Sequence, residues 1–270
     1  MHSETHLLNT VDLSKTLGQE DYEKLLKENQ AALSALVHQI YLRQRPVVMV
    51  IEGWDAAGKG EAIRRVTENI DPRGYVVHAI APTNSWTEDA AHHYLWRFWR
   101  RLPEAGQIAL FESSWYQRVL TERVEGTRSD DEWKRAFREI NQFERQLVDF
   151  GTILYKFWIH ISLDEQLQRF EARSEDERHF WRISEDDWRN PETRSLYEAA
   201  VDEMLLKTST ILAPWVVVAG DSRNYAQVEI LQTLVRELSR ELNYEAINLA
   251  AQGSGSKRKK KSKKKARRKN

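Results

Sequence analysis

The sequence predicts an α/β fold, a parallel five-stranded sheet flanked by helices. Three observations carry that expectation. Residues 47–51 (Val-Val-Met-Val-Ile) form a continuous apolar run, the pattern of a strand buried on both faces. A loop with the spacing G-x-x-x-x-G-K follows at Gly53 and Gly58-Lys59, and a helix-forming segment follows the loop. Beyond that unit, strand-like and helix-like segments alternate to residue 242, which implies parallel strands joined by crossover helices.

The elements follow in order. Apolar residues at helical spacing (Tyr22, Leu25, Leu26, Leu33, Leu36, Val37, Ile40, Tyr41) predict a helix over 20–44. Pro46 introduces the first strand, and 59–70 reads as the helix after the loop. Residues 75–81 read as a second strand and the aromatic-rich 87–101 as a helix. A short strand over 107–111 precedes two helices, at about 114–124 and 130–149. Residues 152–161 form the fourth strand, with helices on either side of a charged segment at 174–190. Pro214 introduces the last strand at 215–219, and 223–242 closes the body as a helix. Residues 1–252 are expected to be one domain, without internal repeats.

A hydrophobic content of 41% that includes 10 Trp suffices for a packed core. No run approaches the ~18 apolar residues of a membrane span, and the start lacks the basic-then-apolar pattern of a signal peptide, so the expected location is cytoplasmic. The chain has no cysteine, which excludes disulfides and thiolate–metal sites. Its formal net charge of zero conceals segregation. Residues 257–269 hold 11 Lys/Arg and no acid; without them, 30 basic residues face 41 acidic ones, a body charge of −11. Gly253-Ser254-Gly255-Ser256 reads as a flexible linker to this tail, which is too like-charged to fold alone, so 253–270 is expected to be disordered.

The loop brings chemistry. Its glycines let backbone N–H groups approach phosphate oxygens, the following helix presents its positive end, and Lys59 adds a full charge. Gly53, Ala56, Ala57, Gly58 and Gly60 thereby become candidate phosphate- or nucleotide-binding positions. Gly60 stands where most such loops carry Ser or Thr, whose hydroxyl holds magnesium on the phosphates. Asp55, inside the loop, is the candidate to replace that oxygen. A strand–helix turn without a ligand gives no reason for Lys at position 59.

The segment Phe111-Glu112-Ser113-Ser114-Trp115-Tyr116-Gln117-Arg118 ends the third strand. A carboxylate at the C-terminal end of a neighbouring strand is where phosphoryl-transfer enzymes place a second metal contact, so Glu112 and Asp55 are candidates to share Mg²⁺. The plainer alternative makes Glu112 a solvated strand-end acid. Arg118, one helical turn further, is placed to reach the same anions or to form a surface ion pair. Arg169, Arg173, Arg178, His179, Trp181 and Arg182 lie in and beside the charged segment at 174–190. Such stretches close over phosphates as lids in nucleotide kinases. Arg169 and Arg173, four residues apart, fit a solvated helix face almost equally well. His92-His93 point to different helix faces with no acid pair to complete a metal site, and Tyr94, Trp96, Phe98 and Trp99 read as core packing.

Taken together, several motifs in fixed order carry a resemblance: Glu52-Gly-Trp-Asp-Ala-Ala-Gly-Lys-Gly60, Pro72-Arg-Gly74, Ala81-Pro-Thr83, Trp115-Tyr-x-Arg118, Glu122-Arg-Val124, Lys156-Phe-Trp158, Arg169-Phe-Glu-Ala-Arg173, Asp187-Trp-Arg-Asn190 and Ala213-Pro-Trp215. Over about residues 20–245 the chain resembles the polyphosphate kinase 2 family. Tyr94-Leu-Trp-Arg-Phe-Trp99, Arg118-Val-Leu-x-Glu-Arg-Val-Glu-Gly126 and Glu185-Asp-Asp-Trp-Arg-Asn190 look closest to its polyphosphate:AMP phosphotransferase branch. The resemblance implies a thymidylate-kinase-like P-loop kinase fold with a helical lid at about 174–190. It also implies a homo-oligomer that transfers phosphate, with Mg²⁺, between inorganic polyphosphate and a nucleotide. Asp55 and Glu112 match the family's two metal-binding or catalytic acidic positions, and Lys59, Arg118 and Arg173 match phosphate-binding basic positions. The basic tail adds polyphosphate or nucleic acid as a binding partner.

The chain also departs from the family pattern. Phe-Asp-Arg-Ser-Trp-Tyr becomes Phe111-Glu-Ser-Ser-Trp-Tyr116, so the acid is one methylene longer and Ser113 replaces an arginine. The lid's Lys-Arg-Trp-Lys becomes His179-Phe-Trp-Arg182, which leaves Arg182 and the nearby Arg178 as its cations. Three readings stay open: transfer to AMP to give ADP, transfer to a diphosphate acceptor such as ADP or GDP, and a relative that binds polyphosphate or nucleotide with weakened chemistry.

Overall fold

The computed structural model describes residues 7–80, 91–174 and 191–244, with Pro191, Glu192 and Thr193 described in backbone only. Its centre is β1 (Val47–Gly53), whose first six residues are buried. β2 (Tyr75–Ala79), β3 (Ile108–Glu112), β4 (Ile153–His160) and β5 (Trp215–Ala219) complete one sheet in the order β2-β3-β1-β4-β5. Every pairing is parallel, with Ile51 opposite Glu112 on one side of β1 and Phe157 on the other. The five strands are those the alternation predicts, with ends shifted by up to two residues.

Helices cover both faces. α1 (Gln19–Leu42), α2 (Lys59–Thr67) and α8 (Arg223–Glu241) pack together, and so do α4 (Thr121–Val124), α5 (Asp130–Asp149) and α7 (Pro191–Thr208). α6 (Leu163–Ser174) follows β4. A capping box between Ser129 and Glu132 starts α5, which lays Phe137, Ile140, Phe143 and Leu147 into the core. Among the described residues no helix is long and apolar enough to cross a membrane.

Two predicted helices come out shorter. Of 87–101, residues 87–90 lie outside the described part, and the rest is helical only over α3 (Trp96–Trp99). The aromatic side chains there are weak helix formers and act as anchors, with Phe98 edge-on to Trp115. Over 114–124 a 3-10 turn (Trp115–Arg118), capped by the Ser114 side chain, and α4 are separated by an irregular Leu120. The lid segment beyond Ser174, with Arg178, His179, Trp181 and Arg182, and the tail from Gly253 lie outside the described residues, as does Ala81-Pro-Thr83.

A buried lysine in the core has all its bonds made. Lys156, in β4, donates to Glu144 Oε2 (2.7 Å), the Tyr116 hydroxyl (3.0 Å) and the Thr208 carbonyl (2.7 Å). Tyr116 and Trp115 donate to Glu144 Oε1 at 2.6 and 3.0 Å. Burial pushes the Glu144 carboxyl up and the Lys156 ammonium down from their ordinary values. Lys156-Phe-Trp158 and Trp115-Tyr116 thus carry structure, pinning β4, α5 and the end of α7 to the turn after β3.

Candidate active site

The loop after β1 and the turn after β3 meet at the C-terminal edge of the sheet, beside the point where the strand order reverses, where open α/β sheets bind ligands. The loop begins at Gly53, where a Cβ would stand 2.7 Å from the Ile159 carbonyl, so only glycine lets β1 lie this close to β4. Gly58 caps α2 at φ 97°, a conformation suited to glycine. Two non-glycine residues also take positive φ, Ala56 (61°) in the loop and Ser113 (60°) directly after Glu112. Such backbone strain persists where the surroundings hold it, and it collects at functional sites.

Lys59 Nζ donates to the carbonyls of Gly53 (2.9 Å) and Trp54 (3.2 Å) and lies 3.8 Å from Asp55 Oδ1. The Asp55 side chain is 66% exposed and free to meet a solvated ligand. Glu112 is half-buried at the end of β3. Its Oε1 would lie 3.5 Å, and its Oε2 3.7 Å, from a Cβ placed on Gly60. The strand-end acid therefore reaches the first turn of α2, beside backbone N–H groups that have no intrahelical partner. Asp55 thus lies beside Lys59, and Glu112 beside Gly60, the next residue of α2.

One acid here was not singled out in the sequence. Glu52, buried in β1, accepts a 2.7 Å hydrogen bond from Ser114 Oγ. Burial raises its carboxyl, Ser114 and Lys59 pull it down, and Glu112 adds a smaller upward push. Its signal in the sequence is an acid that interrupts an apolar strand just before the loop glycine.

The basic residues divide. Arg118 is buried, and its guanidinium lies 4.4 Å from the Tyr94 ring, 3.2 Å from Glu122 and 3.9 Å from Glu132. Burial lowers it from its usual value. It is thus neither solvated nor a surface ion pair. Arg173 is half-buried in the last turn of α6. Arg178 and Arg182 lie outside the described residues.

Arg169, for which the helix spacing left a solvated face almost as good a fit as a lid role, does not lie on such a face. It is buried, and its five N–H groups meet five acceptors. Nε donates to Glu165 (2.6 Å), Nη1 to the carbonyls of Ala56 and Ala57 (3.0 Å each), and Nη2 to those of Gly220 (2.6 Å) and Asp221 (3.0 Å). Gln166, one turn earlier, donates to the Asp55 carbonyl at 3.1 Å and accepts from Arg194 at 2.6 Å. The Arg194 guanidinium sits 3.6 Å from the Trp54 ring centroid, and Trp54 Nε1 donates to His160 Nδ1 at 2.9 Å. Burial, with Arg194 nearby, holds His160 down at about 4.

His92 stacks on Trp96, and His93 lies 3.4 Å from Glu139. Among the described residues no three of His, Cys, Asp and Glu gather as a cage for a metal ion.

The family model described as polyphosphate kinase 2 matches residues 16–246. The chain is 43% identical over 240 residues to a polyphosphate:AMP phosphotransferase of Pseudomonas syringae pv. tomato, covering 88% of this chain and 48% of that protein. It is 32% identical over 222 residues to a GDP-polyphosphate phosphotransferase of Pseudomonas aeruginosa, covering 82% and 62%. The crystal structure of polyphosphate kinase 2 from Arthrobacter aurescens superposes with a TM-score of 0.79 at 31% identity, covering 88% of this chain and 87% of that one. The chain spans about half the length of the polyphosphate:AMP phosphotransferases it matches.

Proposed function

The chain belongs to the polyphosphate kinase 2 family, with its P-loop kinase fold, and from that premise we propose a Mg²⁺-dependent phosphotransferase that moves phosphate between inorganic polyphosphate and a nucleotide, chiefly from polyphosphate to AMP. The observation that carries the reading is that Asp55 lies beside Lys59 and Glu112 beside Gly60, at the start of α2. The similarity to polyphosphate:AMP phosphotransferases supports AMP as acceptor.

In this reading a phosphate group lies against the N–H groups of Gly58, Lys59 and Gly60, with the positive end of α2 behind it. Lys59 leaves the carbonyls of Gly53 and Trp54 for a phosphate oxygen. An oxygen of the AMP phosphate attacks the terminal phosphorus of the chain, and the bond to the next phosphate breaks. ADP and a polyphosphate one unit shorter result. Asp55 and Glu112 would hold Mg²⁺, which supplies charge neutralisation between the phosphates. Two carboxylates suit this ion, because Mg²⁺ keeps several waters and takes its remaining ligands from substrate phosphates. Arg118, Arg173, Arg178 and Arg182 complete the basic set in this reading.

The reading extends to a homo-oligomer in the cytoplasm, tethered to polyphosphate by its tail. Eleven cations over residues 257–269 bind a polyanion by counterion release, which raises the local concentration of polyphosphate at the site. Nucleic acid is the competing ligand for that tail.

The test is the purified protein with Mg²⁺ and long-chain polyphosphate, given AMP, ADP or GDP in separate reactions, with products resolved chromatographically. ADP from AMP is the expected product. Product only from ADP or GDP assigns a diphosphate acceptor, and none above an Asp55→Asn control leaves a binding protein with weakened chemistry.

A further inference from the structure

Side chains hold the loop's carbonyl groups. Lys59 takes Gly53 and Trp54, Gln166 takes Asp55, and Arg169 takes Ala56 and Ala57. A trans peptide is planar, with its N–H opposite its C=O. Fixing the Asp55, Ala56 and Ala57 carbonyls therefore fixes the orientation of the next three N–H groups. Ala57 N–H closes the turn onto the Trp54 carbonyl, and with the Ala57 carbonyl on Arg169 the N–H of Gly58 points away from the guanidinium.

We infer that Arg169 is a positioning residue of the phosphate loop: from behind it, the guanidinium locks the peptide units that follow Ala56 and Ala57 so that the cradle stands ready before phosphate arrives. The inference rests on the loop being the phosphate site. Three features support it. Ala56 is held at positive φ, a conformation that relaxes unless neighbours oppose it, and Arg169 bonds its carbonyl directly. The same guanidinium bonds Gly220 and Asp221 beyond β5, so the loop is tied to a second strand end and not to α6 alone. Finally, a lysine offers three donors from one point and cannot reproduce a planar fork that bonds five acceptors. Gln166 serves the same end on a smaller scale at Asp55.

The experiment measures tripolyphosphate binding by calorimetry and thermal unfolding in the full chain, for the parent, Arg169→Ala, Arg169→Lys and Lys59→Ala. Arg169→Ala is expected to weaken binding by about tenfold or more, because a misplacement of about 1 Å in a positioned group costs up to ~100-fold. Arg169→Lys stays weak, and millimolar guanidinium ion restores affinity to Arg169→Ala without raising its unfolding temperature. Parent-like affinity in Arg169→Ala, or a loss that guanidinium does not reverse, overturns the inference. Lys59→Ala separates the two levels: if it too binds like the parent, the phosphate-site reading itself fails. Should Arg169→Ala not fold, Gln166→Glu removes the donor to the Asp55 carbonyl and keeps an acceptor for Arg194. About threefold weaker binding supports the inference, on the scale of one neutral hydrogen bond, and unchanged binding overturns it.

Discussion

The carboxylate of Glu112 lies over Gly60, 3.5 Å from the point where a side chain on residue 60 would begin. The hydroxyl missing from the loop and the long acid at the end of β3 are thus two parts of one arrangement. An acid at the first turn of a helix is stabilised by the unpaired N–H groups there. In the proposed reaction a bound phosphate would compete for the same N–H groups, and Mg²⁺ would offset the repulsion between the two anions.

Glu112→Gln, which keeps the shape and removes the charge, is expected to lower kcat for ADP formation about 100-fold, the scale of losing one preorganised charge contact. A Mg²⁺ titration of initial rates checks this, and the unfolding temperature should stay unchanged because the group is only half-buried. Parent-like turnover would remove Glu112 from the site.

The buried pair of Lys156 and Glu144 predicts an asymmetric stability effect. Lys156→Met leaves an unpaired acid in the core and should cost about 3–5 kcal/mol, whereas replacing both partners by apolar residues recovers most of that loss. Urea unfolding of the single and double variants measures the difference. Equal destabilisation would show that the pair itself, and not the orphaned charge, carries the stability.

His160 predicts acid sensitivity. Its native value of about 4 lies below the ordinary 6.5, so the unfolded chain binds more protons between those two values. Stability contributed by neutral His160 is complete above pH 6.5 and is lost as pH falls towards 4, by up to about 3 kcal/mol. His160→Gln keeps an acceptor for Trp54 Nε1 and does not titrate there. Urea unfolding at pH 7 and 4.5 should show the parent losing about 2 kcal/mol more than this variant. Equal losses contradict the assignment.

Truncation after Gly253 removes all 11 clustered cations. Polyphosphate affinity should fall at low salt, converge with that of the parent as salt rises, and leave turnover at saturating polyphosphate unchanged. Unchanged affinity at low salt would rule out capture by the tail.

Much of this was legible in the chain. The apolar run before Gly53 could only be a strand covered on both faces, and the G-x-x-x-x-G-K spacing placed Lys59 at the start of a helix, because both signals are local. Asp55 and Glu112 could be named as candidates, since one sits in the loop and the other ends a strand. Lys156-Phe-Trp158 was visible as a motif but not as a buried ion network, whose members come from β4, α5, the turn after β3 and the end of α7.

Backbone propensity and hydrophobic period are properties of neighbours in the chain, so the strand–loop–helix unit, the alternation that makes the sheet parallel and the residue types of the candidate site could all be read from it. Only the tertiary structure decided that Glu112 rests over Gly60, that Glu52 bonds Ser114, and that Arg169 leaves its helix face to hold Ala56, Ala57, Gly220 and Asp221. Those contacts join residues up to 113 positions apart, and their geometry exists only once five parallel strands set their C-terminal ends side by side.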